Sequence, residues 1–241
     1  MPEFERTALL LDMDGTLLDL APRPDAVVVP PGLIDAVRTL RNRLDGALAI
    51  VTGRPIETVD ALFGDAPHAV AGEHGGAVRH HPTELVERPA LPTPPDAWLE
   101  AAKRLVASHP GALLERKARG FALHYRAVPV AGPLFRDALA NLVAGRDDFQ
   151  LLPAHMLWEI RPRGADKGSA VSALMARAPF AGRLPLFIGD DVTDEDGMAV
   201  ARAMGGGGLQ VDAAFGTPAG VRAWLRQAAA IGAWPELMPP A

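Results

Sequence analysis

Ala8-Leu9-Leu10-Leu11-Asp12-Met13-Asp14-Gly15-Thr16 is the stretch that decides the fold. A short apolar run closed by an Asp-Gly turn reads as a buried strand. In a parallel α/β sheet the ligand crevice lies at the carboxyl ends of the strands, which is where Asp12 and Asp14 stand. Gly15 allows a tight turn behind them. Two carboxylates this close raise the cost of both being ionised unless a cation sits between them. The pair suits either a metal site or an acid–base pair.

Outward from this stretch, short apolar runs alternate with helical patterns. Residues 32–43 read as a helix with Leu33, Val37 and Leu40 on one face, and 47–51 as a second buried strand. A short helix at 57–63 and a strand at 69–71 follow. Near the end come a helix at 167–178, a strand at 184–188, a helix at 193–203 and a last helix at 218–230 with Pro218 in its first turn. This order predicts an α/β fold with a Rossmann-like, mostly parallel sheet.

The middle differs. The proline-rich segment 89–95 reads as a hinge, and Arg163-Gly164-Ala165 as the return. Between them lie a helix (97–108), two strands (112–117, 121–126), a second helix (134–144) and two more strands (149–152, 155–161). That order predicts an antiparallel sheet backed by two helices, inserted into the first domain. The expected division is a core of 1–88 with 164–241 and an insert of 89–163. Period-two alternation puts Phe121, Leu123 and Tyr125 on one face and Met156, Trp158 and Ile160 on one face of their strand. The opposite side carries Glu115, Lys117, Arg126, His155, Glu159 and Arg161. It is either a solvated sheet face or a polar surface rich in hydroxyl-binding groups.

A second acidic cluster, Gly189-Asp190-Asp191-Val192-Thr193-Asp194-Glu195-Asp196, follows the strand at 184–188. So many carboxylates would repel one another without a divalent cation or cationic side chains. Thr193 or Asp194 could cap the next helix, with Glu195 and Asp196 in its first turn. Asp190 and Asp191 are not explained that way. Oxygen ligands with no His or Cys beside them favour Mg²⁺ over Zn²⁺. Thr52-Gly53-Arg54, after the strand at 47–51, can hold a phosphate oxygen or can serve as a strand-to-helix turn. Lys167 opens a helix, where a lone cation is unfavourable and a bound anion would make sense of it.

These four motifs, in this order, resemble the haloacid-dehalogenase-like phosphatases, and they span the chain apart from the insert. The insert falls between the threonine and lysine motifs, where sugar phosphatases of that superfamily carry their larger cap. Gly72-Glu73-His74-Gly75, Glu115-Arg116-Lys117, His124-Tyr125-Arg126 and Glu159-Ile160-Arg161-Pro162 are similar to the trehalose-6-phosphate phosphatase family. The resemblance implies a nucleophilic Asp12 that forms an aspartyl-phosphate, and Asp14 as general acid and base. It implies Mg²⁺ held by Asp12, Asp190 and the backbone carbonyl of Asp14. Thr52 and Lys167 would hold phosphoryl oxygens, with Asp191 and Asp194 orienting Lys167 and metal-bound water. Gly53, Arg54, His74, Glu115, Lys117, Arg126, His155 and Glu159 are the expected substrate contacts, and the cap would close over the core and test the sugar.

Composition bounds the alternatives. The 241 residues are 49% hydrophobic and 22% charged, with a net charge of −5. That balance gives no general attraction to nucleic acid or anionic membrane. There is no cysteine, which removes disulfides, thiolate metal sites and a cysteine nucleophile together. No signal peptide or membrane-length apolar run is read, so a cytoplasmic monomer acting on a small sugar phosphate is expected. The rivals are a phosphatase for sucrose phosphate or mannosyl phosphoglycerate, a catalytically dead sugar-phosphate sensor, and a signalling receiver domain. A receiver is about half as long and carries its phosphorylated aspartate after a central strand. Gly205 to Gly208 is no P-loop and reads as a flexible connection to a strand at 209–211. His80 and His81 read as exposed hairpin residues, and Trp98 and Trp224 as packed helix residues. Trp234 has no assignment.

Overall fold

The structure is a computed structural model that describes residues 1–21, 26–117, 119–154, 156–164 and 166–237. His155 and Ala165, given roles above, lie outside the described residues. The chain divides into two compact units, Met1–Pro89 with Asp166–Ala241, and Ala90–Ala165.

The larger unit is built on β1 (Thr7–Leu11), β2 (Leu48–Val51), β3 (Ala69–Gly72), β4 (Ala77–Arg79), β9 (Leu184–Gly189) and β10 (Gly207–Gln210). Their order in the sheet is β10-β9-β1-β2-β3-β4. All neighbours run parallel except β3 and β4, which form an antiparallel pair. The helices are α1 (Leu33–Arg43), α2 (Ile56–Phe63), α5 (Lys167–Met175), α6 (Asp194–Ala203), α7 (Val211–Ala214) and α8 (Pro218–Ile231).

The apolar runs are continuous because both faces of the sheet are covered. Leu9 and Leu11 point to one side and pack with Leu33, Val37 and Leu40 of α1 and Val221 and Leu225 of α8. Ala8 and Leu10 point to the other side, among Val171 and Leu174 of α5 and Met198 of α6. Parallel register sets Leu11 beside Ile50 and Ile188. The residues just past these strand ends, Asp12, Thr52 and Asp190, therefore stand side by side at one edge of the sheet.

In the smaller unit, β5 (Leu113–Lys117), β6 (Gly120–His124), β7 (Phe149–Ala154) and β8 (Leu157–Pro162) form an antiparallel sheet in the order β5-β6-β8-β7. Helices α3 (Asp96–Ala107) and α4 (Gly132–Val143) complete it. Phe121, Leu123 and Ile160 are buried with Trp98, Phe135, Leu139 and Phe149, so the period-two reading found the core face. Among the described residues no helix is long and apolar enough to cross a membrane.

Several local readings are corrected. Gly207 and Gly208 belong to β10 rather than to a flexible connection, because the ladder to β9 fixes them, and Val211 opens α7. His80 is buried at 6% exposure, because it follows the antiparallel strand β4, which the sequence reading lacked. Strand β6 ends at His124, so Arg126 lies in the turn beyond it and is exposed. Arg161, read on the polar face of the sheet, is buried at 8% exposure. Trp234 gains a place, stacked on Trp224 with centroids 4.9 Å apart, while Trp98 and Trp224 pack as expected.

Candidate active site

Asp12 is 4% exposed at the end of β1, the middle of the three adjacent strands, and its amide donates to the Ile188 carbonyl. Lys167, the first residue of α5, is 3% exposed. Its Nζ donates to Asp12 Oδ1 at 2.6 Å and to Asp194 Oδ1 at 2.5 Å. The cation at this helix start is thus met by two carboxylates. The start itself is set by a capping box between Asp166 and Ser169. Asp194 is fully buried, and its second oxygen accepts the amides of Asp190 (3.1 Å) and Asp191 (2.9 Å). It ties the acidic loop to the lysine instead of capping α6.

The electrostatics follow from burial. Desolvation is the largest effect on the Asp12 carboxyl and pushes it up to about 8, against the pull of Lys167 and with a push from Asp194. Burial also raises the Asp190 carboxyl, opposed by the hydroxyl of Thr16. Burial alone would lower Lys167, but Asp12 and Asp194 outweigh it and hold the ammonium above its usual value. Both carboxyls are raised first by burial, which disfavours the charged form.

Asp12, Asp190 and Asp194 each offer an oxygen within 4.8 Å of the others. Three carboxylates, two of them bonded to the one ammonium of Lys167, make an all-oxygen set that fits a hard divalent cation. Gly15 belongs to the same arrangement: at φ 81°, a Cβ there would come within 2.1 Å of Asp190 Oδ2. Thr16, which the sequence reading quoted but gave no role, donates to Asp190 Oδ1 at 3.1 Å. Asp191 is exposed, and its Oδ1 accepts the amide of Val192.

The side chain of Asp14 goes elsewhere. Arg54 Nε donates to Asp14 Oδ2 at 2.7 Å and Nη2 to Oδ1 at 2.6 Å, a two-pronged bond. The carboxylate is therefore not in the acidic group, and only the Asp14 main chain is left for the metal role expected of that residue. Arg54, expected to meet substrate, is committed to Asp14.

Thr52 is 1% exposed, and its hydroxyl oxygen accepts the Arg54 amide at 3.2 Å. The hydroxyl proton is then available to donate. Glu73 and His74 both adopt φ 54°, an unusual conformation for residues other than glycine. The Glu73 amide donates to the Arg54 carbonyl and that of His74 to the Thr52 carbonyl, each at 3.0 Å. The His74 ring lies over Gly53, where a Cβ would come within 2.4 Å of Nε2. So Thr52, Gly53, Arg54 and His74 form one assembly.

The loop that carries Asp14 is fastened from α8. Gly15 donates to the Leu18 carbonyl, and Leu17 and Leu18 both donate to that of Met13. Arg222, 8% exposed, donates to the Leu17 carbonyl at 3.1 Å and to Asp19. Nothing in the sequence near Arg222 signals this partnership, since 205 residues separate it from Leu17.

In the smaller unit, the polar sheet face brings together four predicted or neighbouring groups. Lys117 Nζ donates to Glu159 Oε2 and the His124 ring to Glu115 Oε2, each at 2.8 Å. Lys117 on β5 reaches Glu159 on β8 across β6, which offers only Gly120 and Ala122 in between.

Sequence and structure comparisons give the same lineage. The family model for Trehalose-phosphatase matches residues 10–220. The chain is 36% identical over 242 residues to Trehalose-6-phosphate phosphatase of Escherichia coli, covering 98% of this chain and 88% of that protein. It is 39% identical to a Probable trehalose-phosphate phosphatase of Sinorhizobium fredii, covering 87% of this chain and 79% of the relative. The C-terminal domain of the C. albicans Trehalose-6-phosphate phosphatase shares the fold, with a TM-score of 0.73 at 20% identity, covering 94% and 92% of the two chains. A haloacid dehalogenase-like hydrolase from Bacteroides thetaiotaomicron is similar in fold at a TM-score of 0.57 and 13% identity, over 80% and 84% of the chains. With acidic and lysine motifs converging at the strand ends and a family match across most of its length, the chain belongs to the trehalose-phosphatase family, a family of phosphoric monoester hydrolases.

Proposed function

We propose that this protein hydrolyses trehalose 6-phosphate to trehalose and inorganic phosphate through an aspartyl-phosphate on Asp12. The observation that carries the substrate reading is the 36% identity to the Escherichia coli enzyme across 98% of the chain. The chemistry is supported by a buried carboxylate held by one lysine beside an all-oxygen acidic group.

In this reading an Asp12 oxygen attacks phosphorus while the bond from phosphorus to the sugar oxygen breaks. Asp14 gives a proton to the leaving oxygen, and later takes one from the water that attacks the aspartyl-phosphate. One of the two Arg54 bonds loosens for an Asp14 oxygen to carry that proton. Thr52 donates its hydroxyl proton to a phosphoryl oxygen, and Lys167 neutralises charge that develops there. Asp194 holds Lys167 on Asp12, and Asp191 shapes the acidic loop.

Asp12, Asp190 and the main-chain carbonyl of Asp14 would hold Mg²⁺. Bound there, Mg²⁺ would screen the repulsion between a carboxylate nucleophile and a phosphate dianion. Asp194 is the weaker ligand because both its oxygens are already engaged. Glu115, Lys117, Glu159 and Arg126 would contact sugar hydroxyls.

The test is phosphate release from trehalose 6-phosphate, sucrose 6-phosphate, glucose 6-phosphate and mannosyl phosphoglycerate, with Mg²⁺ and with EDTA. Release from trehalose 6-phosphate alone, abolished by EDTA, is expected. Release mainly from another sugar overturns the substrate reading and leaves the chemistry. No release from any of them by folded protein favours a sensor.

A further inference from the structure

We infer that His124 is a positioning residue for substrate discrimination: it holds the carboxylate of Glu115 in place on the polar face of the smaller unit's sheet. The inference rests on the reading that this face meets the sugar.

Two carboxylates stand on that face, and each is tied by one oxygen to a neighbour on another strand. Glu159 is tied by Lys117 and is 14% exposed at its side chain. Glu115 is 49% exposed at its side chain and has a single hydrogen-bond partner among the described residues, the His124 ring at 2.8 Å. Antiparallel register makes the contact a diagonal one. His124 stands opposite Leu113, while Glu115 stands opposite Ala122. The methyl of Ala122 leaves room for the imidazole to lean along the face toward Glu115.

A glutamate with three free torsions makes a poor reader of hydroxyl positions, because its ordering entropy must be lost on binding. His124 removes that loss beforehand. Its Nε2–H occupies Oε2 of Glu115 and leaves Oε1 to accept a hydrogen from a hydroxyl group. The imidazole has only two torsions and is itself one third exposed, so the pair is ordered without being buried. The ligand class this favours is a polyol with a fixed hydroxyl pattern, rather than a planar or apolar leaving group.

The test compares kcat and KM of the whole chain on trehalose 6-phosphate and on an aryl phosphate for wild type, His124→Ala, His124→Gln, Glu115→Ala and the double variant His124→Ala with Glu115→Ala. His124→Ala should lose about 3- to 10-fold in kcat/KM on trehalose 6-phosphate, mostly through KM, the size expected for ordering one long side chain. Activity on the aryl phosphate should not change. His124→Gln, whose amide can still donate to Glu115, should recover part of the loss and serves as the test if His124→Ala misfolds. The double variant should match Glu115→Ala alone, because His124 acts through Glu115.

Equal losses on both substrates, no loss in His124→Ala, or multiplied losses in the double variant would overturn the role of His124. If Glu115→Ala loses discrimination and His124→Ala does not, only this inference fails. If Glu115→Ala does not affect the sugar phosphate either, the reading of the polar face at Glu115 fails with it.

Discussion

Arg54 grips both carboxylate oxygens of Asp14, with Nε to Oδ2 at 2.7 Å and Nη2 to Oδ1 at 2.6 Å. The planar fork fixes the orientation of the carboxylate as well as its position. Lysine keeps the charge but not the fork. Arg54→Lys should therefore fold normally and lose on the order of 10²-fold in kcat, the penalty of a proton donor misplaced by about 1 Å. Steady-state kinetics on trehalose 6-phosphate, whose poor alkoxide leaving group needs that proton, measures the effect. Unchanged kcat would show that the Asp14 orientation is immaterial.

Asp12→Asn should remove at least about 10⁴-fold of phosphatase activity, as loss of a nucleophile does elsewhere. The amide can still accept from Lys167, so the fold should hold. Any residual rate should grow with storage as the asparagine deamidates. A stable, appreciable rate from fresh protein would assign the nucleophile to another residue.

Chelation gives a separate check on the acidic group. With EDTA, phosphate release should stop, and added Mg²⁺ should restore it. Asp190→Asn should raise the Mg²⁺ concentration required by about 10- to 100-fold, since it removes a ligand charge while its amide oxygen can still accept from the Thr16 hydroxyl. Titration of activity with Mg²⁺ reads this directly. An Asp190→Asn protein with wild-type Mg²⁺ dependence would remove Asp190 from the ligand set.

His80 makes a pH prediction away from the catalytic residues. Burial lowers its pKa below the usual 6.5, with Arg177 lowering it further and Glu87 and Glu84 opposing. The unfolded chain then binds more protons below that value than the folded chain does. His80 favours the fold fully above pH 6.5, and this contribution is lost as pH falls toward the depressed value. Thermal melts of wild type and His80→Gln at pH 7.5 and pH 5.5 measure it. Wild type should lose more stability on acidification than the variant, and parallel losses would contradict the assignment.

Arg222 supports the loop of Asp14 from α8, and its removal should be felt in both stability and activity. Arg222→Met leaves the buried Leu17 carbonyl without its donor, which costs about 1–3 kcal/mol. In a chain of 241 residues that is a fall in Tm of roughly 2–4 °C for each kcal/mol. Arg222→Lys should recover part of it. An unchanged Tm in Arg222→Met would mean the carbonyl finds water instead.

Much of this architecture was legible in the chain itself. Apolar runs of four to six residues at 7–11, 48–51 and 184–189 can hide their backbone and side chains only inside a two-sided sheet, and each is followed by polar residues that such a sheet cannot bury unpaired. The period-two pattern of Phe121 and Leu123 gave the core face of the smaller sheet for the same reason. Other features left weaker signals. Three residues at 77–79 are too short a run to stand out, so β4 and the burial of His80 were missed. Glycines disfavour strands, so the start of β10 was read as a connection, although the ladder to β9 overrides that preference.

The sequence by itself determined which residue types stand at the strand ends, because hydrophobic periodicity and turn chemistry are local properties. It determined that Asp12, Thr52 and Asp190 would stand just past the carboxyl ends of strands and that Lys167 would open a helix. Only the tertiary structure decided how these groups pair: Lys167 with Asp12 and Asp194, Arg54 with Asp14, Thr16 with Asp190, and His124 with Glu115. Charge and hydrogen-bonding capacity are written in the sequence, but a carboxylate selects among several possible donors by distance and angle. Between residues 40 to 174 positions apart, as in the Arg54, Lys167–Asp12 and Thr16 pairs, those are set by strand register and helix packing.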